Sequence, residues 1–245
     1  MHFDSTLNAP SGRVHSIQTL ATLDGPGVRF AVFLQGCPLR CGCCHNPDTW
    51  DMEGGTLYTA DALAEKATHY REYFGDTGGV TLSGGEPLCQ AAFCEDFFRR
   101  AKDLGLNTCL DTSGCMLNDE VKALLAVSDR VMLDIKYPTD ALYREYVGCS
   151  LDAPLSFLAY LEKAGIKTTL RTVLIPTLND TEEHTEFLSS LVKAHRVIDT
   201  VEILPFRKIC TVKYEKMGIP FRFAKLPEPD ALTVAEMQRR VGGAK

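Results

Sequence analysis

The sequence lacks the short motifs that mark several common classes of enzyme. It contains no Gly-Lys pair, which excludes a Walker-type phosphate loop, and no H-E-x-x-H, which excludes the helix of a zinc protease. No apolar run reaches the length that a membrane span requires. Residues 1–6 do not combine a basic stretch with an apolar one, so they do not resemble a signal peptide. We therefore expect a cytoplasmic protein that does not enter a membrane.

The charge and the apolar content limit the class of protein further. Lys and Arg total 26 against 32 Asp and Glu, and the net charge of −6 argues against a general affinity for nucleic acid. Apolar residues make up 45% of the chain, which is enough for a sizeable core. We expect a flexible tail over residues 1–11, a single domain over residues 12–245, and a monomer.

Cysteine is abundant, and three of the ten cysteines share one spacing, C-x3-C-x2-C: Cys37, Cys41 and Cys44. Four thiolates would close a zinc site or fill a four-iron cluster, whereas three leave one iron with open positions. A zinc site completed by His45 is the alternative. Zinc sites usually have a second ligand pair at a distance, and no second C-x2-C or H-x3-H is present. The scattered cysteines are predicted to be small buried thiols: Cys89, Cys94, Cys109, Cys115, Cys149 and Cys210.

Three further segments accompany the cysteines. They are T-L-D-G-P-G-V-R-F at residues 22–30, S-G-G-E-P-L at residues 83–88 and L-D-T-S-G at residues 110–114. Together with C-P-L-R-C-G-C-C-H-N-P-D-T-W at residues 37–50, they resemble the glycyl-radical-enzyme activases of the radical S-adenosylmethionine (SAM) family in order and spacing. The resemblance extends from about residue 12 to about residue 229.

The resemblance implies an anaerobic enzyme that holds a [4Fe-4S] cluster through the three cysteines and cleaves SAM reductively. The implied 5′-deoxyadenosyl radical takes a hydrogen atom from a glycine Cα of a glycyl-radical enzyme. Some related activases carry an additional ferredoxin-like block of cysteines, which this chain lacks, and this favours pyruvate formate-lyase as the protein substrate. A flavodoxin or a similar one-electron donor is the implied reductant.

The resemblance also implies the residues of the site. SAM contacts are implied at Cys43, Cys44, His45, Gly84, Gly85, Glu86, Asp134, Ile135, Lys136, Arg171 and Arg207. The Glu86 carboxylate would accept a hydrogen bond from the SAM amino group, and the Arg171 guanidinium could pair with a carboxylate. A monovalent cation is implied at Asp111, Thr112, Met132 and Asp134, and contact with the substrate peptide is implied at Asp24.

Two positions depart from the family pattern. Position 43 usually holds an aromatic residue beside the adenine of SAM, and position 207 usually holds a histidine; this chain has Cys43 and Arg207. We expect Cys43→Ala to keep a cluster and activity, and Cys44→Ala to lose both.

Apolar runs alternate with amphipathic segments, which predicts parallel strands joined by helices. Strands are predicted over residues 28–34, 79–82, 107–110, 130–134, 167–175 and 200–204. Six strand–helix units are too few for a closed eight-stranded barrel. We therefore expect an α/β fold, a partial (β/α)6 TIM-like barrel of radical SAM type, with the motifs following the carboxyl ends of the strands.

Helical periodicity and end signals predict the helices. One predicted helix has an apolar face from Leu63 to Phe74. Two further amphipathic helices are predicted to end at Gly105 and Gly165. A helix is predicted to begin at a cap-like Asp180. The last helix is predicted to have Thr233 and Glu236 as a capping box, with Leu232 and Met237 as its hydrophobic staple.

One segment is rich in basic residues. Residues 196–225 contain seven Lys and Arg against three Asp and Glu. A solvated basic face is the simpler interpretation, and a docking surface for an acidic electron donor or for the protein substrate is the alternative. Two other functions stay open: activation of a different glycyl-radical enzyme, and a non-catalytic iron–sulfur or zinc protein that acts as an electron carrier or scaffold.

Overall fold

The structure, a computed structural model, describes residues 10–243, and in that range it has eight strands and nine α-helices. Most of the expected tail lies outside the described residues, and Ser11 already opens the first strand. The described residues form two compact units. The first unit comprises residues 10–37, 51–112 and 118–130, and the second comprises residues 38–50, 113–117 and 131–243. The expectation of a single domain stays a prediction.

The first unit contains five strands. They are β1 (Ser11–Ala21), β2 (Arg29–Leu34), β3 (Thr56–Thr59), β4 (Gly79–Gly84) and β5 (Asn107–Thr112), in the spatial order β3-β1-β2-β4-β5. Strand β1 is antiparallel to both β2 and β3, whereas β2, β4 and β5 are parallel. Because parallel strands point the same way, the segments that follow β2, β4 and β5 leave from the same edge.

The parallel strands of the first unit are buried on both faces. In the register of the sheet, Phe30 lies beside Val80, and Val80 lies beside Thr108. All three side chains are fully buried, as expected for parallel strands that are covered by helices. The helices are α1 (Ala60–Thr68), α2 (Arg71–Phe74), α3 (Ala91–Asp103) and α4 (Asp119–Ala126). Helix α3 contacts both α1 and α4.

The second unit contains β6 (Arg130–Asp134), which enters it at Val131, β7 (Lys167–Leu174) and β8 (Ile198–Pro205). Strands β7 and β8 are parallel, with Leu170 beside Val201. The helices are α5 (Asp140–Tyr146), α6 (Asp152–Ala164), α7 (Glu182–Ala194), α8 (Thr211–Met217) and α9 (Ala231–Gly242).

Helix α9 is tied to β8 by one side chain. The Gln238 amide donates to the Val201 carbonyl at 2.8 Å and accepts from the Ile203 amide at 2.8 Å. Gln238 therefore bonds β8 on the side away from β7.

The predicted strands are confirmed, with some differences in their ends. Strands β4 and β5 each run two residues further than expected, so Gly84 and Thr112 are still within them. Strands β1 and β3 were not expected. Eight of the eleven residues of β1 are exposed or partly exposed, so it lacks the buried apolar run that predicts a strand such as β2.

Three helix predictions are wrong in their details. The face from Leu63 to Phe74 is split, because α1 ends at Thr68 and a separate helix begins at Arg71. The cap of α7 is Thr181, whose hydroxyl accepts from the His184 amide, and not Asp180.

The last helix begins earlier than the predicted capping box. Asp230 is its N-cap and accepts from the Thr233 amide at 2.9 Å, so Thr233 lies inside the helix. Leu232 is exposed and does not form the predicted staple.

Within residues 10–243, no helix is long and apolar enough to cross a membrane.

Candidate active site

The S-G-G-E segment of the first unit lies against the backbone that leads into the cysteine segment. The Gly85 amide donates to the Leu34 carbonyl, and the Glu86 amide donates to the Gly36 carbonyl, each at 2.8 Å. A Cβ on Gly85 would lie 2.2 Å from the Gly36 carbonyl oxygen, which is far too close. Gly84 has a φ of +104°, a conformation that residues with a side chain rarely adopt. Both glycines are therefore required for this close approach of two backbones.

Two pairs of polar side chains occupy the ends of β4 and β5. The Thr112 hydroxyl donates to Glu86 Oε1 at 2.6 Å, and the Ser83 hydroxyl donates to Asp111 Oδ2 at 2.7 Å. Glu86 is almost fully buried and also accepts from the Leu88 amide at 3.2 Å. These bonds hold the Glu86 carboxylate in one orientation. The first unit therefore pairs Thr112 with Glu86 and Ser83 with Asp111, and the roles expected of these residues stay predictions.

Asp24 lies in the turn that the D-G-P-G segment predicts. Gly25 and Gly27 both have positive φ, and the Asp24 carbonyl accepts from the Thr81 hydroxyl at 2.7 Å. The side chain of Asp24 is partly exposed. Its contact with a substrate peptide stays a prediction.

The cysteine segment from residue 38 onward belongs to the second unit and is held by its backbone. The Arg40 amide donates to the Val147 carbonyl at 3.1 Å, and the Gly42 amide donates to the Tyr146 carbonyl at 2.8 Å. The Cys44 amide donates to the Cys41 carbonyl at 3.1 Å, so Cys41 and Cys44 flank one turn. The structure thus fixes the path of the segment through main-chain groups.

Side chains of helix α8 and its neighbours fix the rest of the cysteine segment. The Tyr214 hydroxyl donates to the Cys44 carbonyl at 3.1 Å, and the Lys213 ammonium contacts Asp48 at 3.0 Å. His45 Nε2 lies 2.9 Å from the Arg207 carbonyl. One ring nitrogen of His45 is thus engaged by the backbone, an arrangement that metal-binding histidines also show, so the zinc alternative stays open here. The Arg207 guanidinium pairs with Glu228 at 2.9 Å on the surface.

The cysteines differ in their exposure. Cys37, Cys41 and Cys44 are partly exposed, whereas Cys43 is buried. Burial raises the pKa of Cys44 and raises that of Cys43 to about 11, so both are neutral thiols in the absence of a metal. Within residues 10–243, no three His, Cys, Asp or Glu side chains are gathered as ligands of one metal ion. The assignment of the three thiols to a cluster therefore depends on their spacing and on the family.

A buried charged cluster lies at the ends of β6 and β7. Asp134 contacts the Lys136 ammonium at 2.7 Å and Arg171 Nε at 3.2 Å. Burial would raise the pKa of Asp134, but the two cations outweigh it and lower that pKa to about 2. Two cationic side chains therefore face the Asp134 carboxylate. Arg171 Nη1 also lies 3.7 Å from the Met132 sulfur.

This arrangement bears on the predicted monovalent cation. Asp134 is already paired with two cationic side chains, and the Met132 sulfur faces Arg171. In the first unit, Asp111 and Thr112 are bonded to Ser83 and Glu86. The cation site stays a prediction.

Asn179 is a site residue that the sequence analysis missed. Its amide nitrogen donates to the carbonyls of Lys136 and Val173, each at 2.9 Å, and its oxygen accepts from the Ile175 amide at 2.6 Å. Asn179 is fully buried. It therefore ties the segment after β6 to the end of β7, and so supports the Asp134–Lys136 run. Only the I-P-T-L-N-D turn after β7 could have indicated it.

Tyr137, next to Lys136, is fully buried against Tyr143 and Tyr146. Within residues 10–243 its hydroxyl has no hydrogen-bond partner. Burial and the nearby Cys43 raise the pKa of Tyr137. A buried hydroxyl without a partner is costly, so this position is suited to a bound polar group.

Comparison with protein families identifies the class of this site. A family model described as the Radical SAM superfamily matches residues 31–188, more than half of the chain. The chain belongs to the radical SAM superfamily. Like the other members it is an enzyme, and the family implies a [4Fe-4S] cluster and SAM.

Curated relatives narrow the family. The pyruvate formate-lyase-activating enzyme of Clostridium pasteurianum is 39% identical over 220 residues, which is 89% of this chain and 92% of that protein. The pyruvate formate-lyase 1-activating enzyme of Escherichia coli K12 is 36% identical over 230 residues, covering 93% of this chain and 94% of that one. Within the superfamily, the chain belongs to the family of pyruvate formate-lyase-activating enzymes.

Solved structures confirm the fold. A domain of a pyruvate-formate lyase-activating enzyme from Bacteroides vulgatus has a TM-score of 0.57 at 18% identity and covers 68% of this chain and 94% of that one. A radical SAM methyltransferase from Sphaerobacter thermophilus has a TM-score of 0.60 at 17% identity, covering 88% of this chain and 64% of that one. The prediction of an α/β fold of the radical SAM partial-barrel type is confirmed.

The side chains present fit the ammonium and the carboxylate of SAM. In the first unit, an oriented Glu86 carboxylate can accept hydrogen bonds from an ammonium. In the second unit, the Lys136 ammonium and the Arg171 guanidinium are donors that suit a carboxylate.

Proposed function

We propose that this chain activates pyruvate formate-lyase by generating a glycyl radical. It would do so through reductive cleavage of SAM and abstraction of a hydrogen atom from a glycine Cα. Identity of 39% over 92% of the length of the Clostridium pasteurianum activating enzyme carries the proposal. The order of the four motifs along the chain supports it.

Cys37, Cys41 and Cys44 would hold the [4Fe-4S] cluster. When bound, the cluster supplies the electron that cleaves the carbon–sulfur bond of SAM. The turn from Cys41 to Cys44 would set the spacing of two of the thiolates. Cys43 lies between them but is buried, which supports a packing role for it rather than ligation.

Glu86 would bind the amino group of SAM. Its carboxylate is oriented by Thr112 and by the Leu88 amide, so little reorganisation is needed when an ammonium arrives. Gly84 and Gly85 would contribute backbone groups to the same part of the ligand, and their lack of a Cβ lets this loop pack against the backbone of Leu34 and Gly36.

Lys136 and Arg171 would bind the carboxylate of SAM. Both are largely buried, and both are held in place by contacts with Asp134. Ile135 is tied to β7, because its amide donates to the Arg171 carbonyl at 2.8 Å. This bond supports a fixed position for the whole run from Asp134 to Lys136.

The remaining assignments are part of the proposal. His45, Cys43 and Arg207 would lie near the adenine, and Asp24 would contact the substrate peptide. A monovalent cation at Asp111, Thr112, Met132 and Asp134 is retained as a further expectation. A flavodoxin-like protein would supply the electron, and the chain would act as a monomer in the cytoplasm.

The decisive experiment is electron paramagnetic resonance of pyruvate formate-lyase after anaerobic mixing with the reconstituted protein, SAM and dithionite. We expect a glycine-centred doublet. A preparation with a full complement of iron and sulfide that forms 5′-deoxyadenosine but no doublet would contradict the choice of substrate. If no 5′-deoxyadenosine forms, the proposed reaction itself is wrong.

A further inference from the structure

The D-G-P-G turn, residues 24–27 between β1 and β2, is anchored by a buried arginine. Arg29 opens β2, and its side chain is fully buried. Its Nε donates to the Thr81 hydroxyl oxygen at 3.0 Å, and its Nη1 donates to the Asn107 side-chain oxygen at 2.8 Å and to the Pro26 carbonyl at 3.4 Å. The guanidinium therefore joins the turn to both β4 and β5.

Thr81 connects this arginine to Asp24. The Thr81 hydroxyl accepts from Arg29 Nε and donates to the Asp24 carbonyl at 2.7 Å. A hydroxyl that accepts from a cation becomes a better donor, so the two hydrogen bonds strengthen each other. The Thr81 side chain is fully buried, which shields its hydroxyl from solvent.

The two glycines of the turn bring its backbone close to the sheet. A Cβ on Gly25 would lie 3.2 Å from the Cys109 sulfur. A Cβ on Gly27 would lie 2.6 Å from the Gly78 amide nitrogen. Both glycines also have positive φ, of +122° and +70°. The turn is therefore packed against β5 and against the segment before β4, and its backbone has little freedom to shift.

The anchored turn lies on the face of the sheet that carries the Ser83–Asp111 pair. In the register of β4 and β5, Thr81 lies beside Cys109. Side chains alternate along a strand, so the next residues on the same face are Ser83 and Asp111, which are hydrogen-bonded to each other at 2.7 Å. Because the Asp24 carbonyl bonds Thr81, Asp24 lies on this face, next to the polar side chains at the strand ends.

The outer side of the turn is open to solvent. Leu23, which precedes the turn, is 87% exposed. Pro26 is exposed, and Asp24 is partly exposed. A polypeptide can therefore reach the turn, whereas Arg29 and Thr81 are covered by it.

We propose that Thr81, held by Arg29, is a positioning residue that fixes the D-G-P-G turn for contact with the substrate polypeptide. The inference rests on the proposed function, in which Asp24 contacts the peptide that carries the target glycine. Since Thr81 is fully buried, it would act through Asp24 and would not touch the polypeptide itself. A turn that is fixed before binding needs less ordering when the polypeptide arrives, so its anchor contributes to affinity.

The test compares valine and serine at position 81. Thr81→Val keeps the shape of the side chain and removes the hydroxyl, whereas Thr81→Ser keeps the hydroxyl. Electron paramagnetic resonance measures the rate of glycyl-radical formation at several concentrations of pyruvate formate-lyase, and anaerobic calorimetry measures SAM binding. We expect Thr81→Val to raise the KM for pyruvate formate-lyase roughly three- to tenfold, with kcat and the dissociation constant for SAM unchanged. Thr81→Ser should keep the KM of the unsubstituted protein.

Thr108→Val is the matched control. Thr108 is also fully buried, and its hydroxyl donates to the Val127 carbonyl at 2.8 Å and accepts from the Asp129 amide at 3.0 Å. Thr108 belongs to the neighbouring strand, but it lies on the other face of the sheet from Thr81. The same substitution should therefore lower stability in urea unfolding without changing the KM for pyruvate formate-lyase.

A KM that rises in Thr81→Val alone would support the positioning role. An unchanged KM in Thr81→Val, an equal rise in Thr108→Val, or a Thr81→Ser variant as impaired as Thr81→Val would overturn it. A parallel loss of SAM affinity in Thr81→Val would also overturn it, because the anchor would then serve the cofactor. If the unsubstituted protein produced 5′-deoxyadenosine but no glycyl radical, the proposed function would be wrong, and this inference with it.

Discussion

Asn179 provides the sharpest test of how the second unit supports its charged cluster. Replacing it with alanine removes three hydrogen bonds of the side-chain amide. The carbonyls of Lys136 and Val173 and the amide of Ile175 then lose their partner. Each buried group that loses its partner costs about 1–3 kcal/mol. Because the carbonyls can accept from elsewhere, we expect a total loss of about 3 kcal/mol in the free energy of unfolding.

The same substitution is expected to weaken SAM binding. Once the Lys136 carbonyl loses this hydrogen bond, the segment that carries the Lys136 ammonium is free to move. Part of the free energy of SAM binding is then used to order this segment. We expect the dissociation constant for SAM to rise about tenfold, which corresponds to about 1.4 kcal/mol. Urea unfolding measures the first effect, and anaerobic calorimetry on the cluster-loaded protein measures the second.

Asn118→Ala is the matched control. Asn118 caps α4 in the first unit through the Val121 amide, at 2.9 Å, and the loss of such a cap costs about 1 kcal/mol. It should lower stability without changing the affinity for SAM. If Asn179→Ala bound SAM as tightly as the unsubstituted protein, or if Asn118→Ala weakened binding as much, the support role of Asn179 would be refuted.

Three further predictions concern single residues. The pKa of Asp134 is lowered from 3.8 to about 2, so its contribution of about 2 kcal/mol is present above pH 4 and is lost as the pH falls towards 2. Acid unfolding of Asp134→Asn should lack that component, and an identical acid transition in both proteins would contradict the pairing. Gly85→Ala places a Cβ 2.2 Å from the Gly36 carbonyl, so urea unfolding should show a loss of about 1–3 kcal/mol; unchanged stability would contradict the close approach. Cys44→Ala should lose bound iron whereas Cys43→Ala keeps it, and iron analysis with the opposite result would reverse the ligand assignment.

Strands β2, β4 and β6 were predictable because each contains a short apolar run that is buried. The strand of residues 130–134 was predicted to the residue. Strand β1 was not predictable in the same way, since polar residues such as Ser16 and Gln18 interrupt its apolar ones. The split between α1 and α2 was also hidden, because Leu63 and Phe74 keep the helical period across the break.

For the site, the sequence indicated residues but not their pairing. Asp134 and Arg171 were both predicted as site residues, yet only the structure shows that they form an ion pair across 37 positions. Asn179 escaped notice because its role depends on a turn in which Thr177 has a φ of +72°. A short polar residue in a turn carries no periodic signal, so its partners become evident only once the backbone is known.

The contact of Gln238 with β8 has a consequence for self-association. An open strand normally offers its free amides and carbonyls to any extended chain nearby, which is a route to aggregation. Here one glutamine occupies an amide and a carbonyl in the middle of that strand, at Ile203 and Val201. A foreign strand would have to displace Gln238, and with it the contact of the last helix, before it could pair with β8 at these two positions.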